Sequence, residues 1–257
     1  MSELNPPDAT PVLSVRGLEK QFVLHNIDGR VVAGLRGVDL DVSAGEHVVL
    51  AGSSGAGKTS LLKCVHRTYL PSAGTVDLRL GDGTVVDLAE IGDRDVVALR
   101  GRELGYVSQF LQAPPRRGPF DIVVRAATDR GMDRDAARDA AANALRRLNI
   151  DEAMWDVYAT VLSGGERQRV NLAAGTVSPP RLLLLDEPVS ALDPANRSAA
   201  LDLIDELAGH GVAVLSVFHD LDAIERLATR VVLMRHGRAV DTGPPERILP
   251  ELTGVAR

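Results

Sequence analysis

The sequence predicts an α/β fold in which a parallel-sheet core carries an antiparallel β layer and an inserted helical subdomain. The apolar runs Val48–Leu50 and Leu182–Leu185 are typical of strands that are buried on both faces. β-rich sequence precedes the first run, helical sequence occupies roughly residues 110–175, and strands alternate with helices after the second run. This succession of segments indicates a layered α/β domain with a helical insertion.

The predicted strands have apolar or alternating patterns and are separated by turn residues. In chain order they are Val12–Val15, Val31–Val32, Val38–Val42, Val48–Leu50, the hairpin pair Thr75–Leu80 and Val85–Leu88, Leu104–Ser108, Leu182–Leu185, Val212–Val217 and Val231–Met234. The predicted helices have caps or apolar residues at helical spacing. They are Gly57–Arg67, Asp133–Leu148, Ser163–Thr176, Pro194–Leu207 and Leu221–Ala228. Residues 113–119 contain three prolines and two arginines, and we expect a loop there.

Composition narrows the classes of function. The chain has 257 residues, a net charge of −6 and only 3% aromatic residues, which argues against nucleic acid as a partner. Its single cysteine, Cys64, excludes an internal disulfide and a cysteine metal cluster, so we expect that side chain to serve in packing. No apolar run is long enough for a membrane helix, and residues 1–11 lack the pattern of a signal peptide. We therefore expect a cytoplasmic protein, for which a membrane role requires a separate membrane subunit.

A phosphate-binding loop is predicted between the strand Val48–Leu50 and the helix after it. The loop fits the pattern G-x-x-x-x-G-K-[ST] in full, and we expect it to bind nucleotide together with the next helical residue. These residues are Gly52, Ser53, Ser54, Gly55, Ala56, Gly57, Lys58, Thr59 and Ser60. Backbone N–H groups would converge on the β-phosphate, Lys58 would reach the β and γ oxygens, and the Thr59 hydroxyl would ligate Mg²⁺. The chain contains only two other lysines, Lys20 and Lys63, which makes a chance lysine in this loop less plausible.

Two adjacent acids, Asp186 and Glu187, follow the four-leucine strand. Adjacent carboxylates at a buried strand end are costly unless a cation and its water accompany them. Asp186 is therefore a candidate for holding Mg²⁺, and Glu187 for accepting a proton from an attacking water. The alternative is a strand that simply ends in solvated acids.

A Ser-Gly-Gly turn at residues 163–165 precedes a predicted helix. Free N–H groups and the positive end of the helix dipole at such a turn suit a phosphate. We expect Ser163, Gly164, Gly165 and Glu166 to contact nucleotide, and the alternative is a plain N-cap.

Together these motifs resemble the nucleotide-binding domain of the ABC ATPase superfamily, a P-loop fold. The resemblance covers residues 12–250, with a helical subdomain at about 110–175, a flexible N-terminus at 1–11 and a tail at 251–257. It implies that ATP and Mg²⁺ bind between two subunits, where the Ser163 turn of one meets the phosphate loop of the other.

Individual roles also follow from the resemblance. It implies catalysis by Glu187, His219 and Lys58, and Mg²⁺ ligation by Thr59, Asp186 and Gln109, the last of which also contacts water. Phe22 lies where an aromatic residue stacks on adenine in this superfamily, and the alternative for this phenylalanine is core packing.

Three interpretations remain of the process that ATP binding and hydrolysis serve. Departures from common importer subunits resemble the L-type ATP-binding subunit of the phosphonate carbon–phosphorus lyase system, which implies a sister ATP-binding subunit and lyase core proteins as partners. These departures lie at residues 22–25, 107–116, 169–171 and 217–220, and include His25, Phe110, Leu111, Asn171 and Phe218. The second reading is the motor of a membrane transporter, with a permease as partner. The third is a nucleotide-gated binding module.

Overall fold

The computed structural model describes residues 10–24, 30–100, 102–109 and 116–252, and in these ranges the chain forms ten strands and eight α-helices. The strands are β1 (Leu13–Leu24), β2 (Arg30–Val42), β3 (His47–Ala51), β4 (Ala73–Arg79), β5 (Val85–Asp87), β6 (Leu104–Val107), β7 (Leu182–Asp186), β8 (Ala213–Val217), β9 (Arg230–Arg235) and β10 (Arg238–Gly243). The helices are α1 (Lys58–Val65), α2 (Asp93–Arg100), α3 (Pro119–Asp129), α4 (Arg134–Arg147), α5 (Gly164–Thr176), α6 (Pro194–Gly209), α7 (Leu221–Leu227) and α8 (Pro245–Leu252).

Two sheets organise these elements. The larger has the strand order β10-β9-β3-β8-β7-β6, in which β9, β3, β8, β7 and β6 are parallel and β10 runs antiparallel to β9. The smaller is antiparallel throughout, with the order β2-β1-β4-β5. The predicted fold class, a parallel core with an antiparallel layer and inserted helices, is confirmed.

The larger sheet is covered on both faces, which explains the four-leucine run. Leu182 and Leu184 belong to a core cluster with α1 and the antiparallel sheet. Leu183 and Leu185 belong to a second cluster formed with the helices on the opposite face. All four side chains are fully buried, and burial of each contributes about 1.5–3 kcal/mol. The carboxyl end of β7 is therefore held rigidly, and the acids that follow it have a fixed position.

The helices α3, α4 and α5 lie between β6 and β7 and pack against one another. Asp133 caps α4 by accepting a hydrogen bond from Asp135 N at 2.8 Å. Phe120 of α3 stacks on Trp155 with 5.3 Å between the ring centroids. The insertion thus has its own packing and carries α5 to the same end of the sheet as the phosphate loop.

Several element predictions need correction. The three short strands predicted within residues 12–42 are two long strands, β1 and β2, whose pairing continues through bulges. Gly17 and Gly37 have φ of +56° and +72° in this pair, and these irregularities disrupt the alternation on which a strand prediction depends. The helix predicted to reach Arg67 ends at Val65, because Arg67 is in the left-handed region.

Four elements were missed. Half of the residues of helix α2 are charged and it buries only Val96, β10 is an edge strand with little burial, and α8 contains Pro250. Helix α3 starts at Pro119, which the sequence placed in a loop, although proline is favoured in the first turn of a helix. Helix α8 continues through Leu252, and the predicted boundary of the tail at 251 stays a prediction.

Residues 1–9, 25–29, 101, 110–115 and 253–257 lie outside the described chain, and so do the predictions that concern His25, Phe110 and Leu111. Within the described part, no helix is long and apolar enough to cross a membrane.

Candidate functional site

The phosphate loop connects β3 to α1, and its carbonyl groups contact the lysine of the loop, Lys58. Gly57 caps α1 with φ 104°, a conformation that strongly favours glycine. The Lys58 ammonium group donates to the carbonyls of Gly52 at 2.7 Å and Ser53 at 3.0 Å. Burial lowers the pKa of Lys58, while the carboxylates of Glu187 and Asp186 act in the opposite direction. The carbonyls of Gly52 and Ser53 therefore hold the ammonium group next to the loop, and a bound phosphate can replace them as its partners.

The end of β9 and the turn between β9 and β10 pack against the phosphate loop and hold it in place. Gly237 N donates to Ala56 O at 2.9 Å. Gly52 has φ 140°, and a Cβ built there would lie 2.2 Å from the Met234 carbonyl oxygen. Only glycine permits this approach of two backbones, so the start of the loop is fixed by the neighbouring strand β9.

We expect Gly52→Ala to lower the free energy of unfolding of the nucleotide-free protein by more than about 3 kcal/mol, because backbone strain adds to a backbone collision. Gly55→Ala is the matched control, since Gly55 also has positive φ, +78°, but a Cβ there meets no atom within 4 Å. Its cost should be about 1 kcal/mol. Urea denaturation measures both variants, and equal losses would contradict the assigned contact.

Asp186, at the end of β7, has a partner on each carboxylate oxygen. Thr59 Oγ1 donates to Oδ1 at 3.0 Å, and the Tyr106 hydroxyl donates to Oδ2 at 3.1 Å. Asp186 itself is buried, with 5% exposure. The structure thus brings together two of the three residues that the sequence assigns to Mg²⁺.

Glu187 follows in a left-handed backbone conformation, with φ 53°. A non-glycine residue rarely adopts this conformation, and its occurrence marks sites where geometry serves function. Glu187 Oε1 lies 2.9 Å from His219 Nε2, and Glu187 Oε2 accepts from Gln109 Nε2 at 3.2 Å. The predicted general base, the predicted switch histidine and the predicted glutamine therefore form one cluster. The His219 side chain is 55% exposed, so one side of the cluster is open to solvent.

The predicted Ser-Gly-Gly turn forms the start of α5. Ser163 Oγ accepts from Glu166 N at 3.2 Å, and the Glu166 carboxylate accepts from Ser163 N at 2.7 Å. This reciprocal pair is a capping box, and the Ser163 contacts lower the pKa of Glu166. Ser163 and Gly164 are exposed, and a Cβ at Gly164 would meet open space. The turn is a formed helix terminus that presents Gly164 to solvent, whereas Gly165 is partly buried next to the Ala191 carbonyl.

The remaining candidates are placed as follows. Phe22, on β1, is partly buried, and its ring meets Tyr69 edge-on with 5.3 Å between centroids. Lys20 Nζ lies 5.2 Å from the centroid of the Phe22 ring. Ser54 is exposed in the phosphate loop, and Ser60 is a partly buried residue of α1. The stacking role of Phe22 stays a prediction.

Sequence reasoning gave no role to Gln168, which connects the helix that begins at Ser163 to the cluster of Glu187, His219 and Gln109. Its Nε2 donates to Glu187 O at 2.6 Å, and its Oε1 accepts from Ala191 N at 2.8 Å. The side chain is only 2% exposed. Tyr106 was likewise given no role, and Asn171 was noted only as a departure from common importer subunits. The available signal for both was a polar residue within an otherwise buried segment.

The chemistry of these donors fits a nucleotide and a magnesium ion. Among residues that the structure describes, no three His, Cys, Asp or Glu side chains are grouped to hold a metal by themselves. Mg²⁺ is usually held by one or two protein ligands together with phosphate oxygens and water. The Thr59 hydroxyl and the Asp186 carboxylate next to a glycine-rich loop are such a donor set.

The fold and this site define a P-loop nucleoside triphosphatase. Residues 35–190 match the family model described as ABC transporter, and the chain belongs to this family. It is accordingly an ATP hydrolase of the ABC type, a class whose nucleotide-binding domain binds ATP, typically with Mg²⁺.

Individual relatives and solved structures agree with this assignment. The L-cystine import ATP-binding protein TcyC of Bacillus subtilis is 31% identical over 92% of this chain and 92% of its own. The glycine betaine/proline betaine transport system ATP-binding protein ProV of Escherichia coli is 32% identical over 91% of this chain and 57% of its own. The dimeric ATP-binding cassette MJ0796, solved with ADP and Pi, superposes with a TM-score of 0.82 at 22% identity. That superposition covers 91% of this chain and 98% of MJ0796, and it supports the fold.

Proposed function

We propose that this chain is the ATP-hydrolysing subunit of an ABC importer, acting as a dimer on the cytoplasmic side of a membrane permease. The observation that carries the proposal is the similarity to import subunits such as TcyC, which extends over 92% of both chains. The described site contains a candidate residue for each role that hydrolysis requires. This supports ATP turnover as the function and counts against a binding module that nucleotide only gates.

Different residues of the chain have different roles in ATP hydrolysis. Of the two adjacent acids, Asp186 and Glu187, it is Glu187 whose carboxylate contacts His219 and Gln109. Glu187 therefore takes the proton of the attacking water. Lys58 and His219 stabilise charge on the γ-phosphoryl group. Thr59, Asp186 and Gln109 would hold Mg²⁺, which would supply positive charge to the phosphate oxygens.

Dimerisation is supported by the position of the Ser163 turn. Ser163 and Gly164 are exposed at a capped helix terminus, which is suited to a phosphate from a second molecule. A second subunit would bring its phosphate loop to this turn. Two composite sites then form in a symmetric dimer.

The alternative of a phosphonate lyase subunit has less support. Several of the residues on which it depended have partners within the chain. Arg169 Nη1 donates to Leu148 O at 2.8 Å, Asn171 Nδ2 donates to Ser108 O at 2.6 Å, and Phe218 is buried at 3% exposure. Internal packing therefore accounts for these residue types without a lyase partner.

Co-purification tests the proposal. Tagged protein is isolated from detergent-solubilised membranes of cells grown on phosphate or on a phosphonate as phosphorus source. We expect a permease with several spanning helices in both preparations, and at least about twofold stimulation of ATP turnover when the pair is reconstituted in liposomes. Recovery of lyase proteins without a permease would overturn the proposal, and so would a permease that leaves turnover unchanged.

A further inference from the structure

Tyr106, on β6, holds one oxygen of the Asp186 carboxylate. The tyrosine hydroxyl donates to Oδ2 at 3.1 Å, while the Thr59 hydroxyl donates to Oδ1 at 3.0 Å. The two donors come from different elements, β6 and α1, so the plane of the carboxylate is fixed from both sides. Because both donors are neutral, they orient the carboxylate without cancelling the charge that attracts a cation.

Tyr106 is itself held by residues that extend to the protein surface. Its ring stacks on the His66 ring with 4.7 Å between centroids and 24° between planes. His66 follows α1, and its carbonyl accepts from Arg100 Nε at 3.0 Å and Arg100 Nη2 at 2.9 Å. Arg100 ends α2 and lines a surface groove together with Arg67 and Val97, the last of which is 64% exposed.

We propose that Tyr106 is a positioning residue for the metal ligand Asp186, and that Arg100 acts on the same carboxylate through His66 and Tyr106. The inference rests on the proposed function in requiring Mg²⁺ and ATP to bind here. It adds a chain of contacts from the surface helix α2 to the magnesium site. Through these contacts the position of Arg100 on α2 affects the affinity for Mg²⁺.

The Asp186 carboxylate depends on this donor because it is buried, with 5% exposure. Loss of the Tyr106 hydroxyl would leave Oδ2 of a buried carboxylate without the partner that it has in the structure.

The first test is Tyr106→Phe, which removes the hydroxyl but keeps the ring on His66. Calorimetry with a non-hydrolysable ATP analogue is carried out with Mg²⁺ and with EDTA. We expect the enhancement of affinity by Mg²⁺ to fall about tenfold, as for loss of a hydrogen bond to a charged group, while affinity in EDTA changes less than twofold. Tyr158→Phe is the control, because Tyr158 is 53% exposed in the helical insertion, and it should match wild type.

The second test is a double-mutant cycle with Arg100→Ala. This variant should reduce the Mg²⁺ enhancement in the wild-type background and have no further effect in Tyr106→Phe, because its action passes through the tyrosine. Arg94→Ala, an exposed change on the same helix, is the control.

The outcomes separate the inference from the proposed function. An unchanged Mg²⁺ enhancement in Tyr106→Phe, or an equal loss with and without Mg²⁺, would overturn the inference alone. An additive effect of Arg100→Ala in both backgrounds would overturn its second half. A wild-type protein that binds the analogue with no response to Mg²⁺ would overturn both the inference and the assigned magnesium site.

Discussion

Replacing Glu187 with glutamine is expected to lower ATP turnover by at least about 100-fold, because the amide cannot accept a proton from the attacking water. ATP binding should be retained, since Gln has the same size and the phosphate loop is untouched. The carbonyl of the new side chain still accepts from Gln109 or His219, which lie at 3.2 Å and 2.9 Å from the present carboxylate. The variant therefore separates proton transfer from site geometry.

Two measurements check this expectation. Phosphate release reports turnover, and light scattering with ATP reports oligomeric state. Because the bound ATP is not consumed, Glu187→Gln should remain a dimer with ATP, while wild type returns to monomer as ATP is hydrolysed. Glu225→Gln, an exposed carboxylate on α7, is the matched control and should behave as wild type. Turnover in Glu187→Gln within about threefold of wild type would refute the role of general base.

The local part of this site could be predicted from the sequence because it depends on contiguous residues. A glycine-rich loop between a strand and a helix has few structural solutions, and Lys58 and Thr59 have fixed positions within it. The pairing of Thr59 with Asp186 could also be anticipated, because the carboxyl ends of parallel strands meet at one edge of the sheet. The buried strands β3 and β7 were recognisable for a related reason, since both faces are covered and no polar position interrupts them.

The remaining features depend on contacts between distant segments. Gln168 reaches Glu187 O, and Tyr106 reaches Asp186, across 19 and 80 residues respectively. No local pattern encodes those partners, and a glutamine in a helix is ordinarily taken for a solvated residue. The elements that were missed, such as α2 and β10, bury too little apolar surface to produce a periodic signal. The phosphonate interpretation had the same weakness, because Asn171 and Phe218 are explained by internal neighbours that the sequence does not reveal.

Removal of the Lys58 charge is expected to abolish most nucleotide affinity. Within the described ranges of the chain, the ammonium group has the Gly52 and Ser53 carbonyls as hydrogen-bond partners, and a bound phosphate would provide stronger, charge-assisted ones. Loss of two such bonds predicts at least about 50-fold weaker ATP binding for Lys58→Ala by calorimetry. The free energy of unfolding should change less than the free energy of ATP binding. The reason is that the substitution also removes a largely desolvated charge from a site that is only 6% exposed.

Lys63→Ala is the matched control for this experiment. Lys63 is on the same helix, α1, but its ammonium group lies 5.3 Å from the centroid of the Tyr69 ring and not over the phosphate loop. The two variants remove the same charge from the same helix, so a general electrostatic effect on ATP would weaken binding in both. A loss confined to Lys58→Ala assigns the effect to direct contact with the phosphates. Overlapping isotherms for Lys58→Ala and wild type would instead show that the loop binds ATP through its backbone alone.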